Sequence, residues 1–195
     1  LIANRGEIAC RIIRTAKRMG ITTVAVYSEA DAESLHARSA DEAIDIGGNA
    51  SSDSYLVIDK ILDAIKKSGA EAVHPGYGFL SENATFAKKL NEEGITFIGP
   101  GVKAIAAMGD KIESKKIASA AGVNTVPGYV GVLADDQEAV KVADEIGFPV
   151  MIKASAGGGG KGMRIVNSEE EVEEAFLRAS SEAKNSFGDE RLFVE

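Results

Sequence analysis

The sequence predicts an α/β protein built from two modules of different kinds. In the first half, short apolar runs alternate with amphipathic patterns of about a dozen residues, as parallel strands joined by helical crossovers do. In the second half, two apolar runs flank a run of four glycines, which predicts an antiparallel hairpin in a small α+β module. Between these halves lie two helical patterns with no strand between them.

Composition narrows the class of protein. The chain has 195 residues, a net charge of −8 and 45% apolar residues, which suits a globular domain and not a nucleic-acid groove. No apolar run approaches the roughly 20 residues that a membrane-spanning helix needs. The chain opens on Leu1 inside a predicted strand, so we expect any targeting segment to have been removed or never present. Cys10 is the only cysteine, which excludes an internal disulfide and favours a reducing compartment.

The elements of the first half are read from hydrophobic periodicity. Gly20 and Gly69 stand where the first two helices should end. Residues 1–98 are therefore predicted to form one Rossmann-like domain with a doubly wound parallel sheet. The predicted elements, in order, are strand 1–3, helix 7–19, strands 22–27 and 43–46, helix 55–67, strand 72–74, helix 83–93 and strand 96–98.

A helical linker and a lid module are predicted for the remaining residues. Helices 102–108 and 111–121 make up the linker, residues 99–127. In the module, residues 128–195, Asp135 is predicted to cap helix 136–146, and strands 150–154 and 163–166 flank the glycines. Ser168 and Glu171 form an S-x-x-E pattern that predicts a capping box for a long helix before strand 192–195.

The glycine run, residues 157–160, is the most informative local stretch. Each glycine in a fixed conformation costs roughly 0.5–1 kcal/mol relative to alanine, so the run is either a flexible tip or functional. Glycine N–H groups can bind phosphate oxygens, and Lys153 and Lys161 stand on either side of the run. A Walker A loop is excluded because Gly162 follows Lys161, and the first strand-turn lacks dinucleotide-binding glycines. The pattern indicates an ATP-grasp lid.

Four longer stretches resemble biotin carboxylases and occur in the same order as in that family. The resemblance covers essentially the whole chain, and residues 156–164 and 185–189 are most similar to the alpha chain of propionyl-CoA carboxylases. Methylcrotonyl-CoA, acetyl-CoA and pyruvate carboxylases share the module. Other ATP-grasp ligases, such as carbamoyl-phosphate synthetase, remain an alternative. The four stretches are IANRGEIA at 2–9, HPGYGFLSEN at 74–83, MGDK at 108–111, and IKAS at 152–155 with GMR at 162–164.

This resemblance implies a ligase that uses ATP and bicarbonate to carboxylate biotin on a carrier domain, with magnesium or manganese accompanying ATP. It implies a carboxyltransferase partner, a homo-oligomer, and a bacterial cytoplasm or a mitochondrial matrix as the location. In the family, the catalytic base and the metal-binding carboxylates lie in a C-terminal domain that would begin after Glu195. We therefore expect no catalytic residue and no metal ligand here. We also expect the chain alone to be inactive, with a Kd for ATP weaker than about 1 mM.

The resemblance also assigns site residues. It places Lys111 and Lys153 on the nucleotide and Glu195 at the first position of the adenine-binding hinge. Tyr77 and Gly78 become candidates for contact with biotin. The lid over the phosphates is assigned to Gly157, Gly158, Gly159 and Gly160.

Structural alternatives stand beside these assignments. Lys111 could be an exposed lysine at a helix N-terminus, His74 a satisfied loop histidine, and Asn83 a helix cap. The whole chain could also be a non-catalytic dimerisation module, with Arg11 or Arg14 at the interface.

Overall fold

The computed structural model describes residues 1–129, 131–156 and 162–195. These residues form two compact units, Leu1–Ala106 and Ala107–Glu195. Within them, no helix combines the length and the apolar character needed to cross a membrane. The predicted lid glycines, 157–160, lie outside the described residues, and the predicted domain boundaries after residues 98 and 127 stay predictions.

The first unit contains the predicted parallel sheet. Its N-terminal residues join two strand pairs, because Ile2 forms parallel bridges to both Ala25 and His74. The parallel pairs are β1 (Val24–Tyr27) with β2 (Glu42–Asp45), and β3 (Ala72–Val73) with β4 (Thr96–Phe97). The order is therefore β2, β1, the N-terminal segment, β3 and β4.

Helices cover both faces of this sheet. Ile2 packs in one apolar cluster with Ala9 and Ile13 of helix α1 (Gly6–Arg18). Ala3 packs in another cluster with Ile61 of helix α3 (Ile58–Ser68). Because successive residues of a strand point to opposite faces, the two clusters lie on opposite sides, which confirms the doubly wound arrangement. The helices are α1 (Gly6–Arg18), α2 (Leu35–Ser39), α3 (Ile58–Ser68), α4 (Ala84–Glu92) and α5 (Val102–Gly109), the last of which contains the division between the units.

Two features of the first unit differ from the sequence-based expectation. The helix predicted over 55–67 begins at Ile58, because Tyr55 is buried in the core, where its ring stacks on Phe79 with centroids 5.3 Å apart. Helix α2 and the 3-10 turns Glu29–Asp31 and Ser51–Asp53 were not predicted, since segments of three to five residues carry no measurable helical period. Asn83 caps α4, as its side chain accepts from the N–H of Phe86.

The second unit contains the predicted small α+β module. Its sheet consists of β5 (Val150–Ala154), β6 (Met163–Val166) and β7 (Leu192–Val194). The order is β6-β5-β7 with antiparallel pairing throughout, as expected for a hairpin around the glycine run. Val150, Ile152 and Ala154 of β5 are buried among apolar residues of α7 and α8. Its elements are α6 (Lys111–Ala120), α7 (Asp136–Ile146), β5 (Val150–Ala154), β6 (Met163–Val166), α8 (Val172–Phe187) and β7 (Leu192–Val194).

The predicted capping box at Ser168 is wrong. The Ser168 side chain makes no capping hydrogen bond, and Glu169–Glu171 form a 3-10 turn before α8 begins at Val172. The carboxylate of Glu171 instead accepts from the main-chain N–H of Asn167 at 2.9 Å. The reciprocal pairing of a capping box needs serine directly before an α-helix, and the intervening 3-10 turn removes that geometry.

Candidate functional site

The second unit holds a carboxylate between two lysines. Glu195 directly follows β7, and its main-chain N–H donates to the carbonyl of Met151 on β5 at 3.0 Å. Lys153 of β5 stands opposite Phe193 in the register, so Glu195 is its diagonal neighbour. The Nζ of Lys153 forms an ion pair with Oε1 of Glu195, and the Nζ of Lys115 donates to Oε2 at 2.7 Å. Each carboxylate oxygen thus has its own ammonium partner.

These three charges are largely removed from solvent. The side chains are 10% exposed for Lys115, 23% for Lys153 and 13% for Glu195. Burial by itself would raise the pKa of Glu195, but hydrogen bonds and charge from Lys115 and Lys153 outweigh it and lower the pKa. The Nζ of Lys115 also lies 5.6 Å from the centre of the Phe193 ring, which adds a cation–π contact. The carboxylate is therefore ionised at neutral pH and held on both oxygens.

Lys111 lies beside this group. It is the first residue of α6, and its Nζ donates to the main-chain carbonyl of Ala154 at 3.4 Å. Burial lowers the pKa of Lys111, and the positive charge of Lys153 lowers it further, against the opposing effect of Asp110. The structure thus brings together three residues that the sequence singled out, Lys111, Lys153 and Glu195. Surplus positive charge beside the β5–β7 pair favours an anionic ligand.

Asp110 fixes the start of α6. Its Oδ1 accepts from the main-chain N–H groups of Ile112 and Glu113, at 2.9 and 3.1 Å, which caps the helix. Its Oδ2 lies 3.2 Å from Nη1 of Arg191, which immediately precedes β7. The pKa of Asp110 is lowered: burial opposes the shift, but the two N–H donors and Arg191 outweigh it. Asp110 therefore ties the helix that carries Lys111 to the strand that leads to Glu195.

Sequence reasoning did not single out Asp110 and Lys115 as site residues. The signals were present in both cases. An aspartate directly before a helix is a preferred N-cap, and Lys115 follows Lys111 by four positions, which places both lysines on one helix face.

In the first unit, a strained loop presents Tyr77. The Tyr77 side chain is 64% exposed. Gly76 and Gly78 both have φ of +66°, and Phe79 has φ of +43°, an uncommon conformation for a residue with a side chain. The N–H of Gly76 donates to Nδ1 of His74 at 3.0 Å, so His74 serves as a loop-supporting histidine. Strain of this kind clusters at ligand-binding loops.

A polar network centred on the buried Asp31 supports the neighbouring turn. Arg5 forms a bidentate ion pair with Asp31 at 2.5 Å, and the Tyr55 hydroxyl donates to the same carboxylate at 2.7 Å. The hydrogen bond from Arg5 lowers the pKa of Asp31 to about 2. His36 is fully buried, with Nε2 at 3.1 Å from the Val26 carbonyl and Nδ1 at 3.4 Å from the N–H of Gly6. These groups satisfy one another, which indicates a structural role.

Metal ligands are not assembled in the part of the chain that the structure describes. Among those residues, no three or more His, Cys, Asp or Glu side chains are grouped to hold a metal ion.

Family models match both units. Residues 1–105 match the biotin carboxylase N-terminal domain, and residues 110–195 match the ATP-binding domain of the carbamoyl-phosphate synthase L chain. Over all 195 residues, the chain is 62% identical to the propionyl-CoA carboxylase alpha chain of Ruegeria pomeroyi. It is 61% identical to the mitochondrial propionyl-CoA carboxylase alpha chain of Homo sapiens. It spans 29% and 27% of the lengths of these two relatives.

Solved structures agree with this assignment. The chain superposes over its whole length on a biotin carboxylase from Campylobacter jejuni in complex with a β,γ-ATP ligand, with a TM-score of 0.95, 49% identity and 44% of that chain covered. It also superposes on the biotin carboxylase domain of 2-oxoglutarate carboxylase from Hydrogenobacter thermophilus, with a TM-score of 0.92, 52% identity and 43% covered. That structure is a dimer with MgADP, ADP and bicarbonate. With its first 105 residues matching the family model and its fold matching these structures, the chain belongs to the biotin carboxylase N-terminal domain family.

Proposed function

We propose that the chain forms the nucleotide-gripping part of a biotin carboxylase. This ligase would use ATP and bicarbonate to carboxylate biotin on a carrier domain, as the first half-reaction of a propionyl-CoA carboxylase. The observation that carries the proposal is that Lys111 lies near Lys153, which in turn pairs with Glu195, in the second unit. The ATP and ADP complexes of the similar structures, and the names of the relatives, support the same choice of nucleotide and acyl group.

The residues of the chain would act on the nucleotide by charge and position. Lys153 and Lys111 would donate charge-assisted hydrogen bonds to phosphate oxygens, which carry the negative charge of ATP. Glu195, at the end of β7, would mark the start of the adenine-binding segment. The glycines at 157–160 would close over the phosphates and exclude water. Magnesium or manganese is the ion that we propose to accompany ATP.

Biotin and the protein partners complete the proposal. Tyr77 and Gly78, on the exposed loop after β3, are the proposed contacts of this chain with biotin. The proposed partners are the biotin carrier domain, a carboxyltransferase subunit and a second copy of the enzyme, as in the dimeric relative. The relatives include bacterial and mitochondrial proteins, so we propose the cytoplasm or the mitochondrial matrix according to the source. We also propose residues 1–98, 99–127 and 128–195 as Rossmann-like domain, linker and lid.

The decisive experiment is the substitution Lys153→Gln in the full-length protein. A charge-assisted hydrogen bond contributes about 1.5–3 kcal/mol, so the kcat/KM for ATP should fall roughly 10- to 100-fold in biotin- and bicarbonate-dependent ATP hydrolysis. Lys184→Gln is the matched control, because Lys184 is an exposed residue that pairs with the exposed Glu190 at 2.9 Å. Unchanged kinetics in Lys153→Gln would refute the role of Lys153, and the absence of biotin-dependent turnover in the wild type would refute the function.

A second candidate is a different ATP-grasp ligase. The match of residues 110–195 to the carbamoyl-phosphate synthase ATP-binding domain favours it, since that unit contains the lysine cluster. The same assay separates the two candidates: ATP hydrolysis that requires bicarbonate but is indifferent to biotin would support the second.

A further inference from the structure

The single negative charge of the Glu195 carboxylate is paired with two positively charged lysines. Lys115 contacts one oxygen and Lys153 the other, and both lysines are less than a quarter exposed. Lys153 is a proposed ligand of the nucleotide phosphates, whereas Lys115 has no role in the proposed binding of the nucleotide. Lys115 is also the more buried of the two lysines, and its ammonium group lies against the ring of Phe193. It is therefore less free than Lys153 to move away from Glu195.

If Lys153 moves to a phosphate of the nucleotide, Lys115 determines whether Glu195 keeps a positively charged partner. A phosphate oxygen that attracts the Nζ of Lys153 draws it away from Oε1 of Glu195. Without Lys115, a carboxylate that is only 13% exposed would keep no ion-pair partner within the part of the chain that the structure describes, which is strongly unfavourable. With Lys115 at 2.7 Å from Oε2, the carboxylate keeps one full partner throughout.

We infer that Lys115 is a positioning residue that keeps Glu195 neutralised, so that Lys153 can exchange this carboxylate for a phosphate of the nucleotide. Lys115 itself does not contact the nucleotide. The exchange moves one ammonium group between two anions and makes or breaks no covalent bond. This inference rests on the proposed function and adds to it a residue that acts only through Lys153.

The inference predicts a specific pattern of loss and rescue. Removing the charge of Lys115 should weaken ATP binding, because Lys153 then becomes the only ion-pair partner of Glu195 among the described residues. Removing the charge of Glu195 as well should restore binding, because Lys153 is then released at no electrostatic cost. If Lys115 only stabilised the fold, removing its charge would lower the melting temperature and leave the ATP affinity of the folded protein unchanged.

The test measures ATP affinity and the KM for ATP in the full-length protein. We expect Lys115→Met to weaken ATP affinity about tenfold, the scale of losing a charged hydrogen-bond partner. Lys115→Arg should stay within about threefold of the wild type, since the charge is kept. The double variant Lys115→Met/Glu195→Gln should return to within about threefold of Glu195→Gln alone.

Two further variants make the test specific. Lys115→Gln is close in shape but uncharged, and it serves in the same comparisons if the methionine variant does not fold. Lys116→Met removes the neighbouring exposed lysine, which pairs with Glu113 at 2.8 Å, and should leave ATP affinity unchanged.

The outcomes separate this inference from the proposed function. Wild-type ATP affinity in the uncharged Lys115 variant, or no rescue by Glu195→Gln, overturns the role of Lys115 alone. A wild-type protein that binds no ATP overturns the proposed function and this inference together.

Discussion

The side-chain amide of Asn4 donates a hydrogen bond to the main-chain carbonyl of Tyr77 at 2.8 Å, across 73 residues of sequence. The same nitrogen donates to the carbonyl of Pro75 at 2.7 Å, and Asn4 is only 4% exposed. Its Oδ1 accepts from the N–H of Arg5 at 2.9 Å. The turn after the N-terminal segment therefore holds the loop that presents Tyr77.

Replacing Asn4 should destabilise the first unit. Asn4→Ala leaves the carbonyls of Pro75 and Tyr77 without their donor, and each buried group left unpaired costs roughly 1–3 kcal/mol, so we expect a loss of about 2–4 kcal/mol. Asn4→Asp keeps the shape but donates nothing and should lose at least as much. Urea denaturation of the protein, followed through the unfolding of the first unit, measures the loss of unfolding free energy in both variants.

Asn49→Ala is the matched control for this prediction. The Asn49 amide is exposed and lies 3.4 Å from Glu29, so the free energy of unfolding should change by less than about 0.5 kcal/mol. Equal effects of Asn4→Ala and Asn49→Ala would contradict the loop-holding role.

Two glycines of the same loop should respond differently to alanine. Both have φ of +66°, but a Cβ at Gly76 would lie 2.8 Å from Nδ2 of Asn4, whereas a Cβ at Gly78 meets nothing within 4 Å. Gly78→Ala should cost only the left-handed conformation, about 1–2 kcal/mol. Gly76→Ala should cost at least about 1 kcal/mol more, because it also displaces the Asn4 amide. Comparing the two unfolding free energies tests this, and a similar loss in both would argue against a close Asn4–Gly76 packing.

Two helix caps of the second unit should separate stability from nucleotide binding. Asp110 caps α6 and Asp135 caps α7, where its carboxylate accepts from the N–H of Glu138 at 2.8 Å. Asp110→Ala and Asp135→Ala should each destabilise the unit by about 1 kcal/mol. Only Asp110→Ala should raise the KM for ATP, since Lys111 is the next residue. Thermal denaturation and ATP kinetics of the two variants check this, and the prediction fails if their KM values match.

The first unit should lose stability in mildly acidic solution through His36. Burial lowers the pKa of His36 below its ordinary 6.5, the charge of Arg5 adds to this, and the Val26 carbonyl and Asp31 oppose it. The unfolded chain therefore binds the proton first. The stabilisation is complete above pH 6.5 and is lost as the pH falls below that value towards the folded-state pKa.

The variant His36→Gln isolates this effect. Its unfolding free energy should fall less than that of the wild type between about pH 7.5 and 5.5. Burial also lowers the pKa of His74, so a slope of the same sign should remain in His36→Gln and decrease when His74→Gln is added. Identical slopes in the wild type and His36→Gln would show that His36 is not responsible.

Local sequence signals predicted most elements of this fold. The bounds of β5, β6 and α7 match the prediction, because an apolar run or a helical period of sufficient length is visible without the rest of the chain. Asp135 and Asn83 were recognisable as caps for the same reason. The Ser168 pattern misled, because whether a 3-10 turn or an α-helix follows depends on how that segment packs.

The candidate site was only partly predictable. The resemblance to biotin carboxylases identified Lys111, Lys153 and Glu195, and the structure brings these three together. Lys115 was not identified, because a lysine in the middle of a helix is usually a solvated surface residue. Its burial against Phe193 and Glu195 becomes visible only when α6 and β7 are in place.

The sequence by itself determined the longer strands and helices, the glycine run and the membership in a carboxylase family, since each depends on neighbouring residues or on a linear motif. It did not determine α2 or the 3-10 turns. The tertiary structure decided which charges meet. Glu195 finds Lys115 across 80 residues and Asn4 finds Tyr77 across 73, and no local pattern encodes such distances. These contacts exist because parallel and antiparallel strand pairing brings distant chain segments to the same end of a sheet, where their polar side chains must satisfy one another.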